Sequence, residues 1–395
     1  MAKLTRGNKS GIQGTVIAVD TLSDSILFCT PSEDGERIET VSANFRSKAF
    51  DQEFFDRFAR VIKQQMEKNP QMDLQRATVV LPDRLFMTDM ITIPMIHRRA
   101  MQQSLSLAIE AIYNNAADLS LMTYAVQQTK QNATFGLVGI RRDILDKVRK
   151  AFADNGVTVG TVTYASNAMA DGAMALNSKL RNDTYMLLDI KEDYSRLAFV
   201  VRGTTMGYYD LPFGHGALYK TRQAAEDLLF DHRAGELLVL NAKERARAKQ
   251  LTMEGATSSS EQGEDGSENT TNDPVYENIS DGSRRSTRKL PKFMQRPTPQ
   301  SREEYLYENF RIFVKWALDL ITNNREIVSL DKLTTVYVNM PEEYDILYTL
   351  VNQETDEHGV TFAPMITEAV DATVMENLEL YGGFFASRYN SANNF

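Results

Sequence analysis

Two aspartates in this 395-residue chain stand where a short apolar run gives way to a polar turn: Asp20 after Thr15–Val19, and Asp189 after Tyr185–Leu188. An aspartate closing a strand is ordinary turn chemistry, because its carboxylate accepts from backbone N–H groups just downstream. Two of them at corresponding places in a repeated pattern make a stronger case for ligand-facing groups. Ser23 and Ser25 follow the first, and Gly214-His215-Gly216 closes the stretch that holds the second. His215, flanked by glycines, could touch a ligand, although a turn histidine ahead of a helix is the plainer reading. The sequence has no Gly-x-x-x-x-Gly-Lys-Ser/Thr, no His-Glu-x-x-His and no Gly-x-Ser-x-Gly, so the common phosphate-loop, zinc-protease and serine-hydrolase chemistries have no carrier. His97, His215, His232 and His358 lack metal-ligand spacing. Cys29 is the only cysteine, which excludes a disulfide framework or a Cys-rich zinc site and suits a reducing compartment. Among the 17 methionines, Met87, Met90, Met95 and Met101 read as core filler or as an adaptable surface, and Trp316, near Phe310 and Phe313, reads as core.

The elements that must position these residues are read from composition and period. With 42% hydrophobic and 25% charged residues, the chain can build two or three cores. A net charge of −9 makes nucleic acid and anionic lipid poor partners. Met1–Gly11 carries Lys3, Arg6 and Lys9 with no apolar run behind it, so residues 1–11 read as a flexible tail rather than a secretory signal. The most apolar helical stretch, Phe310–Ile321, is interrupted by Arg311, Lys315 and Asp319 and is too short for a bilayer, which makes a cytoplasmic location the expectation. From Glu254 to Asp281 acids occur with no Lys or Arg, and from Arg284 to Arg302 the sign reverses among Pro291, Pro297 and Pro299. Residues 253–302 are therefore expected to be a disordered insert whose two blocks attract each other, with a docking site for acidic partners or lipid headgroups as the alternative.

Strand and helix patterns alternate around that insert. Strands are expected at Thr15–Val19, Ser25–Thr30, Arg37–Val41 and Ala77–Leu81, with a helix over Phe50–Met66. A second block runs through a strand at Phe86–Ile93 and a helix over Arg98–Asn114. Strands at Leu121–Gln127 and Phe135–Ile140, a helix over Arg142–Asn155 and a strand at Val157–Tyr164 follow. Asn167–Leu180 is a helix of small residues that lets a neighbouring backbone approach closely. At Tyr185 the opening pattern returns, with strands at Tyr185–Leu188, Arg196–Val201 and Met206–Leu211. Later come helices over Glu304–Asn324 and Glu342–Gln353 and strands at Thr335–Val338 and Val360–Phe362. The recurrence implies a duplicated α/β domain. The first half is expected over 12–180, with an inserted small α/β subdomain at about 84–164, and the second over 181–395.

This layout resembles the actin-like (ribonuclease H-like) ATPase fold, and within it the type IV pilus assembly protein PilM and FtsA-like family. The resemblance is carried by Val19-Asp20-Thr21-Leu22-Ser23-Asp24-Ser25 at the first phosphate loop, Val80-Leu81-Pro82 ahead of Ile91-Thr92-Ile93-Pro94, and Leu188-Asp189-Ile190 at the second phosphate element. Phe213-Gly214-His215-Gly216 and the tail Tyr381-Gly382-Gly383-Phe384-Phe385-Ala386-Ser387-Arg388 complete it. It implies ATP held between the halves, with phosphates on the two hairpin loops and Mg²⁺ near Asp20 and Asp189. Asp20, Ser23, Ser25, Asp189, Gly214 and Gly216 are then the residues of a residual nucleotide site, and Asp20 and Asp189 the candidate metal ligands.

Departures from the pattern speak against catalysis. Leu22 stands where the first loop has glycine, Lys191-Glu192-Asp193 follow Asp189, and Asn339-Met340-Pro341 replace the glycines of the adenosine loop. Bulk and negative charge there disfavour a triphosphate. Weak nucleotide binding or none, with negligible hydrolysis, is expected. By resemblance the protein is a cytoplasmic scaffold of a type IV pilus or related secretion assembly, peripheral to the membrane. Its partner would be the short cytoplasmic tail of a single-span, PilN-like membrane protein, lying in a groove built from Phe86–Ile93 and Leu121–Ile140, with self-association left open. The alternatives are an FtsA-like division adaptor, for which Arg388–Phe395 is too short and polar to supply an amphipathic helix, and an active actin-fold ATPase or sugar kinase.

Overall fold

The computed structural model describes residues 14–32, 38–46, 50–70, 72, 74, 77–95, 97–113, 116–211, 214–216, 310–311, 314–315, 335–340, 351–352, 360–366 and 370–386. The expected tail 1–11, the insert 253–302, the helix after Gly216, Trp316 and most of the two late helices lie outside them.

Two sheets of the same design carry the duplication. β1 (Val16–Asp20), β2 (Ser25–Pro31), β3 (Ile38–Asn44), β4 (Ala77–Leu81) and β8 (Val159–Tyr164) form the first, in the order β3-β2-β1-β4-β8. β9 (Thr184–Ile190), β10 (Ser195–Val201), β11 (Thr204–Leu211), β12 (Thr335–Asn339) and β13 (Thr361–Pro364) form the second, in the order β11-β10-β9-β12-β13. In each, three antiparallel strands are followed by two parallel ones. Parallel neighbours need crossovers, and these bring the helices onto the sheet faces.

On the outer face of the first sheet lie α1 (Gln52–Lys68) and α3 (Arg142–Ala153). Asp51 caps α1 by accepting from the Phe54 N–H at 2.9 Å. The apolar stripe Phe54, Phe58 and Ile62 meets Val148 and Phe152 of α3, with the Phe58 and Phe152 rings edge-on at 5.6 Å. Between the two sheets lie α4 (Ala165–Leu176) and a C-terminal pair, α5 (Ala372–Glu376) and α6 (Leu378–Gly383). α4 and α6 pack with Val16, Ala18 and Val80 of the first sheet on one side and with Tyr185, Leu187 and Ala198 of the second on the other.

The small residues of α4 permit this: a Cβ on Gly172 would stand 2.6 Å from the Leu378 carbonyl oxygen and 3.2 Å from the Gly382 nitrogen. α4 covers 165–176 instead of the expected 167–180. Asn177 takes an extended conformation and its side chain accepts from the Lys179 N–H, starting a separate 3-10 turn at Ser178–Asn182.

A third sheet, β5-β7-β6, is made of β5 (Phe86–Pro94), β6 (Leu119–Gln128) and β7 (Asn132–Arg141). α2 (Arg98–Ile112) covers one face, burying Leu105 and Ile109 against Ile91, Ile93, Phe135 and Leu137. Of the segment 84–164, this sheet and α2 stand apart from the first sheet, whereas α3 and β8 join it. Phe310 and Val314, in described fragments of the late helix, are buried on the outer face of the second sheet. Among the described residues, no helix is long and apolar enough to cross a membrane.

Candidate functional site

The β1–β2 and β9–β10 turns face each other across the layer that α4 and α6 occupy, and each holds one of the aspartates singled out by sequence. Asp20 pairs with Ser25 on the last rung before the turn, whose four residues are Thr21–Asp24. Asp189 pairs with Arg196, and the Ile190–Ser195 rung separates it from a turn of the same length, Lys191–Tyr194. The two aspartates are therefore one rung out of equivalence. Residue alternation still turns both toward the interlobe layer, Asp20 with Ala18 and Asp189 with Leu187.

Asp20 spends its carboxylate on its own turn. One oxygen accepts from the Leu22 N–H at 2.9 Å and the Ser23 N–H at 3.3 Å, and the other accepts from the Ser23 hydroxyl at 2.6 Å. Ser25 reaches Ser23, hydroxyl to hydroxyl, at 2.7 Å. The turn closes with Asp24 at φ 51°, in the left-handed region that Asp tolerates better than most residues. The Tyr194 hydroxyl, from the facing hairpin, donates to Asp20 at 3.0 Å. Burial pushes the Asp20 carboxyl up, but the Ser23 hydroxyl, Arg196, the Leu22 N–H and Tyr194 outweigh it and hold the group below its ordinary value.

Asp189 is 2% exposed and accepts from the Asn339 amide at 2.7 Å. Burial drives its carboxyl up to about 6, with Lys191 pulling down, Glu379 pushing up and Asn339 pulling down. Lys191 points inward. Its ammonium donates to Glu379 at 2.8 and 3.0 Å and to the Glu376 carbonyl at 2.6 Å, and it lies 3.8 Å from Asp189. Burial lowers the lysine, and the two carboxylates more than restore it, so it stays charged. Glu192 and Asp193 remain exposed at the tip. Gly214 and Gly216 lie against this turn: the N–H groups of His215 and Gly216 donate to the carbonyls of Lys191 and Glu192 at 2.8 and 2.9 Å. A Cβ on Gly216 would come within 2.9 Å of the Glu192 oxygen.

A second buried cluster, which the sequence reading missed, adjoins the first. Arg196, 5% exposed, donates to Asp210 at 2.7 Å and pairs with Asp83 at 3.3 Å. Asp83 also accepts from the N–H and hydroxyl of Ser166 at 2.9 and 2.6 Å. Burial lifts Asp83 to about 6 against the pull of Arg196. The signal was there, since Arg196 is the one cation within a strand otherwise made of Ser195 and Leu197–Val201. Between the hairpins a cavity of about 30 Å³ is lined by Asp20, Thr21, Arg84, Arg196, Asp210 and Glu379, among others. That is room for one or two waters. Among the described residues no cluster of three or more His, Cys, Asp or Glu is placed to hold a metal ion.

The repeated five-strand order, the helix layer between the sheets and the facing hairpins fix the architecture. The chain has a duplicated, actin-like ATPase fold. No protein-family model and no curated protein matches it. Among solved structures, the PilM-PilN type IV pilus biogenesis complex aligns over 95% of this chain and 96% of its own, at 12% identity and a TM-score of 0.48. The cytoplasmic domain of EpsL, an inner-membrane component of the type II secretion system of Vibrio cholerae, aligns over 53% and 74%, at 11% identity and a TM-score of 0.34. A Listeria monocytogenes protein described as an N-acetylmannosamine kinase aligns over 96% and 99%, at 11% identity and a TM-score of 0.42.

Proposed function

We propose that this actin-like chain works by binding, as a scaffold or adaptor, and that its interlobe cleft no longer turns over nucleotide. One observation carries the reading: the groups that a metal-bound triphosphate would need are already committed to the protein itself. The Asp20 carboxylate takes the N–H groups of its own loop, Lys191 is spent on Glu379, and the N–H groups of His215 and Gly216 are spent on carbonyls of the facing turn. These commitments support a cleft that does not receive Mg-ATP. A phosphoryl-transfer reading would require the hairpins to part and Lys191 to leave two buried acids.

The cellular setting comes from the sequence resemblance. On this reading the protein is a peripheral, cytoplasmic component of a pilus or related secretion assembly and captures the cytoplasmic tail of a membrane-anchored partner. The third sheet supports such a role physically. β6 pairs only with β7 among the described strands, and a strand edge of ten residues is a template for an extended peptide. The test is titration of synthetic tail peptides from single-span membrane proteins encoded beside this one, followed by fluorescence anisotropy. Saturable binding that is lost when a proline is placed mid-strand in β6, at Thr123, supports the reading. No binding by any such tail, together with steady phosphate release from ATP, would overturn it.

A further inference from the structure

The β9–β10 turn reaches beyond its own sheet: Tyr194 meets the first sheet's hairpin, and Lys191, besides Asp189 of its own β9, meets the C-terminal helices that lie between the sheets. Lys191 and Tyr194 belong to the second sheet's hairpin. Tyr194 donates to Asp20 of the first sheet's hairpin, and Lys191 donates to Glu379 and to the Glu376 carbonyl. Glu379 is the second residue of α6, which packs Leu380 and Tyr381 against Val16 and Ala18 of the first sheet and Leu378 against Tyr185 and Leu187 of the second. Asn339, at the end of β12, bridges Asp189 and the Met375 carbonyl at 2.7 and 2.8 Å. In a two-lobed cleft protein, a bound ligand ordinarily supplies the contacts that draw the lobes together. Here a tethered ammonium and a tethered phenol stand at that place.

We infer that the Lys191–Tyr194 turn is a built-in latch, in which Lys191 acts as an internal cation and Tyr194 as an internal hydrogen-bond donor, holding the lobes closed with no ligand present. The latch concerns lobe geometry alone and is independent of which partner the third sheet receives. It follows that the closed arrangement is a constant of the protein, as a platform for a partner requires, rather than one state of a nucleotide cycle.

The test is pulsed electron–electron resonance on the full chain. Spin labels are attached at Thr40→Cys on β3 and Thr361→Cys on β13, both exposed positions in opposite sheets; the natural Cys29 is buried and takes no label. The latch predicts a narrow distance distribution without ligand that Mg-ATP does not change. It also predicts a broadened distribution shifted in distance for Lys191→Met, and a smaller change of the same kind for Tyr194→Phe. Tyr194→Phe removes one hydroxyl and keeps the ring, so it decides the matter if Lys191→Met fails to fold. An unchanged distribution in Tyr194→Phe, or a broad one in the unmodified sequence, overturns the latch. Narrowing of a broad distribution by Mg-ATP overturns the scaffold reading as well, whereas a distribution broad with and without nucleotide overturns the latch alone.

Discussion

Replacing Lys191 by methionine keeps most of the side chain's length and volume and deletes the charge and its N–H donors. The ammonium it removes makes two short contacts to Glu379, one to the Glu376 carbonyl and a longer one to Asp189. Glu379 and Asp189 are 3% and 2% exposed, so neither can turn to solvent for compensation. Breaking a buried pair by removing one member costs about 3–5 kcal/mol, because the other is left as an uncompensated charge. For a chain of 395 residues unfolding as one unit, that corresponds to a drop in melting temperature of about 5 °C. The pH dependence gives the prediction its sign. Asp189 already sits at about 6, above its unfolded value, through burial opposed by Lys191. A carboxylate raised in the folded state contributes most on the acid side and loses that contribution as pH rises through its folded pKa. Without Lys191 that window extends upward, so the variant's deficit should be largest near pH 8 and shrink toward pH 5, where Asp189 is protonated. Urea denaturation of both proteins at the two pH values measures it, with Lys191→Met/Glu379→Gln expected to recover part of the loss. A deficit under about 1 kcal/mol at pH 8, or one equal at both pH values, would refute the internal pairing of Lys191.

Further outcomes follow from other buried groups. Asp171 on α4 is 1% exposed, has one carboxylate oxygen without a hydrogen-bond partner, and is pushed well above its ordinary pKa by burial. Asp171→Asn should therefore match or exceed the unmodified protein in stability at pH 8, by a margin that grows with pH at up to about 1.4 kcal/mol per unit above pH 4. Calorimetric melting from pH 4 to pH 9 reads the slope, and a variant less stable at pH 8 would contradict it. Gly382→Ala would drive a methyl group into the Ala168 carbonyl and the Gly172 nitrogen, where backbone cannot yield. A loss of about 3 kcal/mol is expected by urea denaturation, against little change for Gly160→Ala, whose Cβ meets only the Ala77 oxygen at 3.6 Å.

Local pattern carried a large part of the fold. The β-branched run 77–81, the apolar spacing of the helix over 50–66 and the strand-turn-strand start that recurs at Tyr185 are all periodic or punctuated signals, and the duplicated sheet follows from them. The aspartates were found for the same reason, since each ends a run of apolar residues. What local pattern could not carry is register and distance along the chain. Whether Asp189 or Ile190 matches Asp20 depends on which residues flank the turn, and a one-residue shift is invisible until the strands pair. In sequence Lys191 reads as one of the side chains that crowd the second phosphate loop. Its partner Glu379 lies 188 residues away in a stretch that is otherwise apolar, and nothing near Lys191 points to it. Glu379 and Arg196 share one retrospective mark: each is a lone charge in an apolar element, and a charge there must be paired if the element is buried.

On the proposed reading, the cleft between the lobes is occupied by the protein's own side chains and does not receive nucleotide. Isothermal titration of the full chain with Mg-ATP, run beside a phosphate-release assay, tests it most directly. No binding heat and no phosphate above background are the predicted results. Saturable binding in the micromolar range that Asp20→Ala abolishes, with or without turnover, would contradict it.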